Sequence, residues 1–156
     1  MAGDEQLMSG ERLPAISMPP IVMTGLFCAD IQEETEGLHT LVNVFPDTVT
    51  LSTFPNVLGR LAFYLRVAVY TSLDPTTVRI VLRSPSLPDM PLTSLEAALV
   101  RQAQIEAMAE GLPFGTIVTT ALASDFAVPA PTRVNAIGIV EGAEILCGTL
   151  RFERAS

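Results

Sequence analysis

Proline decides most of what this chain can become. Pro46, Pro55, Pro75, the group Pro85, Pro88 and Pro91, then Pro113 and the pair Pro129 and Pro131 all fall between apolar runs. A proline has a fixed φ and no backbone donor, so it is pushed to turns and sheet edges. The pieces left between are of strand length. The clearest is RLAFYLRVAVY, residues 60–70, in which Leu61, Phe63, Leu65, Val67 and Val69 alternate with Arg60, Ala62, Tyr64, Arg66 and Tyr70. That period of two marks a strand with one buried face.

Other segments repeat the pattern. TVRIVLR, 77–83, turns Val78, Ile80 and Leu82 one way and Arg79 and Arg83 the other, and Asp74-Pro75 before it predicts a hairpin with 60–70. RVNAIGIV (133–140) and EILCGTLRF (144–152) flank Glu141-Gly142-Ala143, where Gly142 supplies turn freedom. In the second of these, Leu146, Gly148, Leu150 and Phe152 are expected on one face. IVMTGLFC (21–28) and LHTLVNVF (38–45) form another pair, and TVTL (48–51) and TIVTTAL (116–122) are rich in β-branched residues. Seven or eight short strands predict a mainly β fold, an antiparallel β-sandwich of immunoglobulin-like or jelly-roll-like type.

One helix is expected, around residues 93–110. TSLEAALVRQAQIEAMAEG has no proline, Thr93 and Glu96 have capping-box spacing, and Gly111 then Pro113 mark its stop. Ala97, Val100, Ala107 and Met108 share a face opposite Glu106 and Glu110, although Leu95 and Leu99 fall on the polar side. Residues 1–20 carry no strand or helix pattern and read as an extended N-terminal arm, expected to be held by a neighbouring subunit. Residues 21–156 read as a single sandwich domain.

The totals fit that division. A chain of 156 residues is one domain in size, long enough to bury about two thirds of its unfolded surface without a staple. Hydrophobic residues make up 49% and charged residues 17%, so a compact globule is expected. The net charge of -8 is uneven, with seven acids against one arginine in residues 1–40. An acidic front without a basic stripe argues against nucleic acid and anionic lipid as partners. The acidic, polar start lacks the form of a signal peptide, and no apolar run approaches the ~20 residues that span a bilayer. The expected location is therefore intracellular: the host cytoplasm or a virion. Cys28 and Cys147 lie in strand-like runs and read as buried free thiols.

Chemistry is sparse. Walker, G-x-G-x-x-G and G-x-S-x-G patterns are absent. His39 is the sole histidine and sits in a strand, which rules out a histidine-based metal cluster. Asp30, Glu33, Glu34 and Glu36 cluster between two apolar runs. Their order, D-x-x-E-E-T-E-G, is not an EF-hand loop, and Gly37 suits a turn. The cluster reads as a solvated hairpin tip, with a cation site and catalysis as the alternatives. No catalytic residue, metal or cofactor is assigned. Arg60, Arg66, Arg79 and Arg83, with Tyr64 and Tyr70, are expected on one face if their strands pair. Arg and Tyr favour interfaces, so this face is a candidate docking surface for an acidic partner, such as the arm or tip of an identical subunit.

"LFCADIQEETEGLHTLVNVF" followed by "FPNVLGRLAFYLRV" resembles an uncharacterised domain-of-unknown-function family of small proteins from bacteria and tailed phages. That family opens with F-C-x-D-I-x-x-E, continues with G-K-x-x-L-I-G-x-Y and F-P-x-x-L-P-K-L, and ends as "VEGAEILCGTLRF" does. The similarity spans roughly 22–153. Leu38-His39 departs from the usual Lys region, Asn43 stands where Gly is common, and Gly59-Arg60 replaces Pro-Lys. The resemblance implies a β-sandwich and a phage or prophage origin, and supplies no activity. The expectation is a non-enzymatic interaction module, a structural or accessory protein of a phage virion that assembles with other subunits as a homo-oligomer. The alternatives are a soluble binding protein that engages a host factor or small ligand during infection, and an enzyme using the acidic cluster with His39.

Overall fold

The computed structural model describes residues 20–85 and 87–156, so all of the expected arm but Pro20 lies outside the described residues. Nine strands and one α-helix follow in chain order: β1 (Ile21–Glu33), β2 (His39–Val44), β3 (Thr48–Leu51), β4 (Asn56–Tyr70), β5 (Val78–Ser84), β6 (Leu87–Leu95), α1 (Ala97–Ala109), β7 (Phe114–Val128), β8 (Thr132–Val140) and β9 (Ala143–Arg154). They form two sheets, ordered β2-β1-β4-β7 and β3-β9-β8-β5-β6. The expected β-sandwich with one helix is present. One ladder departs from the antiparallel rule: β3 runs parallel to β9.

The two sheets share one aliphatic and aromatic core. Leu61, Phe63, Leu65, Val67 and Val69 of β4 face Val78, Ile80 and Leu82 of β5, Val134 and Ala136 of β8, and Leu150 and Phe152 of β9. Each large side chain so buried stabilises the fold by about 1.5–3 kcal/mol. Phe63 lies at the centre. Its ring is 4.7 Å from that of Phe27, and it occupies the space a side chain at Gly25 would need. At one end α1 plugs the sandwich through Val100, Ala103, Gln104 and Ala107. A β-carbon at Gly115 of β7 would lie 2.4 Å from the Ala103 carbonyl oxygen, so glycine sets this close approach.

Several local expectations need correction. Strands 60–70 and 77–83 do not pair: β4 belongs to one sheet and β5 to the other. The intervening chain crosses between layers, a route its seven residues permit and a tight hairpin would not. The proline group at 85–91 is largely strand, since Pro88 and Pro91 lie in β6 at a sheet edge, where a missing donor is tolerated. Thr93 is not a helix cap; it is still in β6, and Glu96 is the N-cap without a side-chain bond. Met108 is exposed, and its expected place on the buried face is taken by Ala103 and Gln104. Leu146 is 59% exposed and leaves the face of Leu150 and Phe152. The reason is a bulge: Ala136 pairs with Gly148 but Ile137 pairs with Leu146, so Cys147 is an extra residue and the alternation changes phase.

Candidate functional site

The outer face of the four-stranded sheet is the most unusual surface of the molecule. An outward face on a sandwich is ordinarily polar. Here Val22 and Leu26 of β1 and Phe114, Val118 and Leu122 of β7 turn apolar side chains outward, beside Tyr64, Arg66, Ala68 and Tyr70 of β4. Leu26 of β1 and Phe114, Val118 and Leu122 of β7 are all exposed, at 44%, 36%, 40% and 48%. In β1 the run IVMTGLFC carries the signal in the sequence, the pattern of a strand covered on both sides.

A groove of about 410 Å³ runs along this face. Val22, Thr24 and Leu26 supply one side, and Tyr64, Arg66, Ala68 and Tyr70 the floor. Phe114 closes one end, its ring 6.2 Å from that of Tyr70. Strand register explains the gathering: Leu26 stands opposite Tyr64, Thr24 opposite Arg66, and Tyr70 opposite Phe114. Arg66 makes no ion pair among the described residues, so the groove presents one free cation on an apolar floor.

The other end is roofed by the β1–β2 hairpin. Ile31 lines a shallow pocket together with Ala62, Thr120 and Leu122, and the His39 ring stands edge-on 5.7 Å from Tyr64. The hairpin therefore curls over β4. That is why Cys28 and Ala62, outward by alternation, are 0% and 1% exposed. Burial, then the nearby Asp30 charge, pushes the Cys28 thiol above its ordinary range. Asn43 of β2 adopts φ 52, a left-handed conformation that asparagine tolerates and glycine adopts freely.

The four acidic residues of this hairpin do not converge. Asp30 accepts a hydrogen bond from Arg60 at 2.9 Å, Glu33 lies 3.8 Å from His39, and Glu34 accepts one from the Thr40 hydroxyl at 3.0 Å. Glu36 sits in the turn with φ 65, ahead of Gly37 with φ 75. Among the described residues no three His, Cys, Asp or Glu side chains are grouped to hold a metal ion.

The expected Arg/Tyr face is split between two surfaces, because its two strands lie in different sheets. Arg60, Tyr64, Arg66 and Tyr70 stay together on β4. Arg79 and Arg83 stand on β5, on the outer face of the five-stranded sheet. Arg83 there ties β6 to β9: its guanidinium donates to Asp89 at 2.9 and 3.0 Å and to Glu144 at 2.8 and 2.9 Å. These bonds hold both carboxyls below the usual range and Arg83 above its own. Val22, Thr24, Leu26 and Ala68 are the groove residues that charge and aromatic content alone do not point to.

No helix among the described residues is long and apolar enough to cross a membrane. No family model matches the chain, and no curated protein matches it with significant similarity.

Proposed function

We propose that this chain is a non-enzymatic interaction module, a structural or accessory protein of a phage particle whose copies assemble through the outer face of the four-stranded sheet. The observation that carries the reading is the apolar groove on that face, with Tyr64, Arg66 and Tyr70 in its floor. Aromatic and arginine side chains on an apolar patch are the composition of an interface centre. The phage context rests on the sequence resemblance, and the sandwich is a common building block, which is analogy at the level of fold. Light scattering on the purified chain tests assembly, and mass spectrometry of purified particles tests the context. Association in solution and presence in particles are the expected results; a monomer at every concentration, absent from particles, overturns the proposal.

The groove also favours a second reading, a binding protein for a small apolar or anionic ligand. An 8-anilinonaphthalene-1-sulfonate titration distinguishes the two: saturable binding that Arg66→Glu abolishes, by a chain that stays monomeric, supports the ligand reading.

A further inference from the structure

We infer that the groove on the four-stranded sheet seats the leading segment of a second copy of this chain, residues 11–18, ERLPAISM. The inference rests on the assembly reading above and names its contact. The groove floor on β4 runs from Tyr64 to Tyr70, seven residues of extended strand, or about 23 Å. An extended segment of seven or eight residues fits that length. Leu13, Ile16 and Met18 supply apolar side chains, and Glu11 supplies a carboxylate for Arg66. Residues 1–19 hold three acids, Asp4, Glu5 and Glu11, against Arg12, and within the seated segment Glu11 is the one acid available to Arg66.

Two points favour a neighbour's segment over the chain's own. The leader joins the fold at Pro20, whose carbonyl accepts the Tyr70 amide at 2.9 Å, at one end of the groove. To lie in its own groove the chain would have to reverse direction there. In the sequence Met18 and Pro19 each precede a proline, a pattern that disfavours a tight helical reversal at this point. Three strands seven residues long cover about 330 Å², well short of the roughly 800 Å² per partner of a standard interface. Copies resting face to face on this patch alone would be weakly joined, and an exchanged segment adds contact area. Each copy has one leader and one groove, so reciprocal exchange closes as a two-fold dimer and one-way exchange closes as a ring.

The test uses two full-length variants and sedimentation velocity. A groove variant, Leu26→Asp with Arg66→Glu, alters two exposed positions, and a leader variant, Leu13→Asp with Ile16→Asp, lies before the sandwich. Both should keep the wild-type circular dichroism spectrum. Each variant alone should be monomeric while the wild type is oligomeric. Mixed in equal amounts they should form a heterodimer, because one retains the leader and the other the groove. A leader variant that assembles like wild type overturns the exchange and leaves the assembly reading standing. Variants that are each monomeric and stay monomeric when mixed also overturn it. A wild type that is itself monomeric sinks both.

Discussion

Gly25→Ala offers the sharpest probe of the packing that positions the site. The β-carbon would lie 2.0 Å from Cζ of Phe63, 2.5 Å from Cε1 and 2.9 Å from Cε2. Carbon atoms rest at about 3.5–4.0 Å, so the ring must retreat by about 1.5 Å. It has nowhere to go. Phe27 packs on it at 4.7 Å, and a β-carbon at Gly148 on the facing sheet would already be 3.2 Å from Cε1. Overpacking of this kind costs about 1–3 kcal/mol, and the shortness of the contact puts this site near the upper end. The stiffer unfolded chain returns about 0.5–1 kcal/mol. The net expectation is a loss of about 2 kcal/mol, or roughly 4–8 °C in midpoint for a domain of this size. Phe63→Leu alone should cost about 1–2 kcal/mol. The pair should lose less than the sum of the singles by about 2 kcal/mol, since the smaller side chain vacates the contested space. Urea unfolding followed by far-ultraviolet circular dichroism measures all four corners, the chain having no tryptophan. A Gly25→Ala protein as stable as wild type, or strictly additive losses, would refute the close packing of the two sheets around Phe63.

Other expectations follow from single contacts. Gln104 is fully buried in α1 and donates to the carbonyls of Tyr70 and Leu73 at 2.8 and 2.7 Å. Gln104→Leu should cost about 1–3 kcal/mol by stranding those acceptors, and amide hydrogen exchange over residues 71–77 should quicken. Burial pushes the Cys147 thiol up to about 11 and raises Cys28 as well. Protonated thiols are therefore favoured by the fold, so their contribution is complete below pH 9 and is lost as pH rises toward 11; Cys147→Ala should flatten that decline in unfolding measurements. Asp89 and Glu144 are depressed by Arg83, so their contribution is present above the ordinary carboxylate range and fades as pH falls through it. Arg83→Gln should return both carboxyls toward ordinary values in an NMR titration, with little change in stability at neutral pH.

How much of this was legible in the sequence depends on which interaction decided each element. Alternation alone decided β4, and its inward set is the one expected. Turn chemistry decided the β8–β9 hairpin, where Glu141 and Gly142 both take positive φ, the conformation of a tight primed turn. The same period of two is silent on which sheet a strand joins, so β4 and β5 read as a hairpin although they face each other across the core. Edge placement rescued the prolines of β6, a tertiary fact that local propensity does not carry. The bulge at Cys147 moved Leu146 outward, and no residue type announces it. The groove was half legible. Tyr64, Arg66 and Tyr70 stood out by type, whereas Val22, Leu26 and Phe114 looked like more core until one side of their sheet proved uncovered.

Two-dimensional NMR of the labelled chain, recorded from tens of micromolar to near millimolar, bears most directly on the assembly surface. Amide and methyl signals of Leu26, Tyr64, Arg66 and Val118 should shift with concentration, while those around Arg79, Arg83 and Leu146 on the opposite sheet stay fixed. Shifts confined to that opposite sheet, or none at any concentration, would contradict a contact role for the groove.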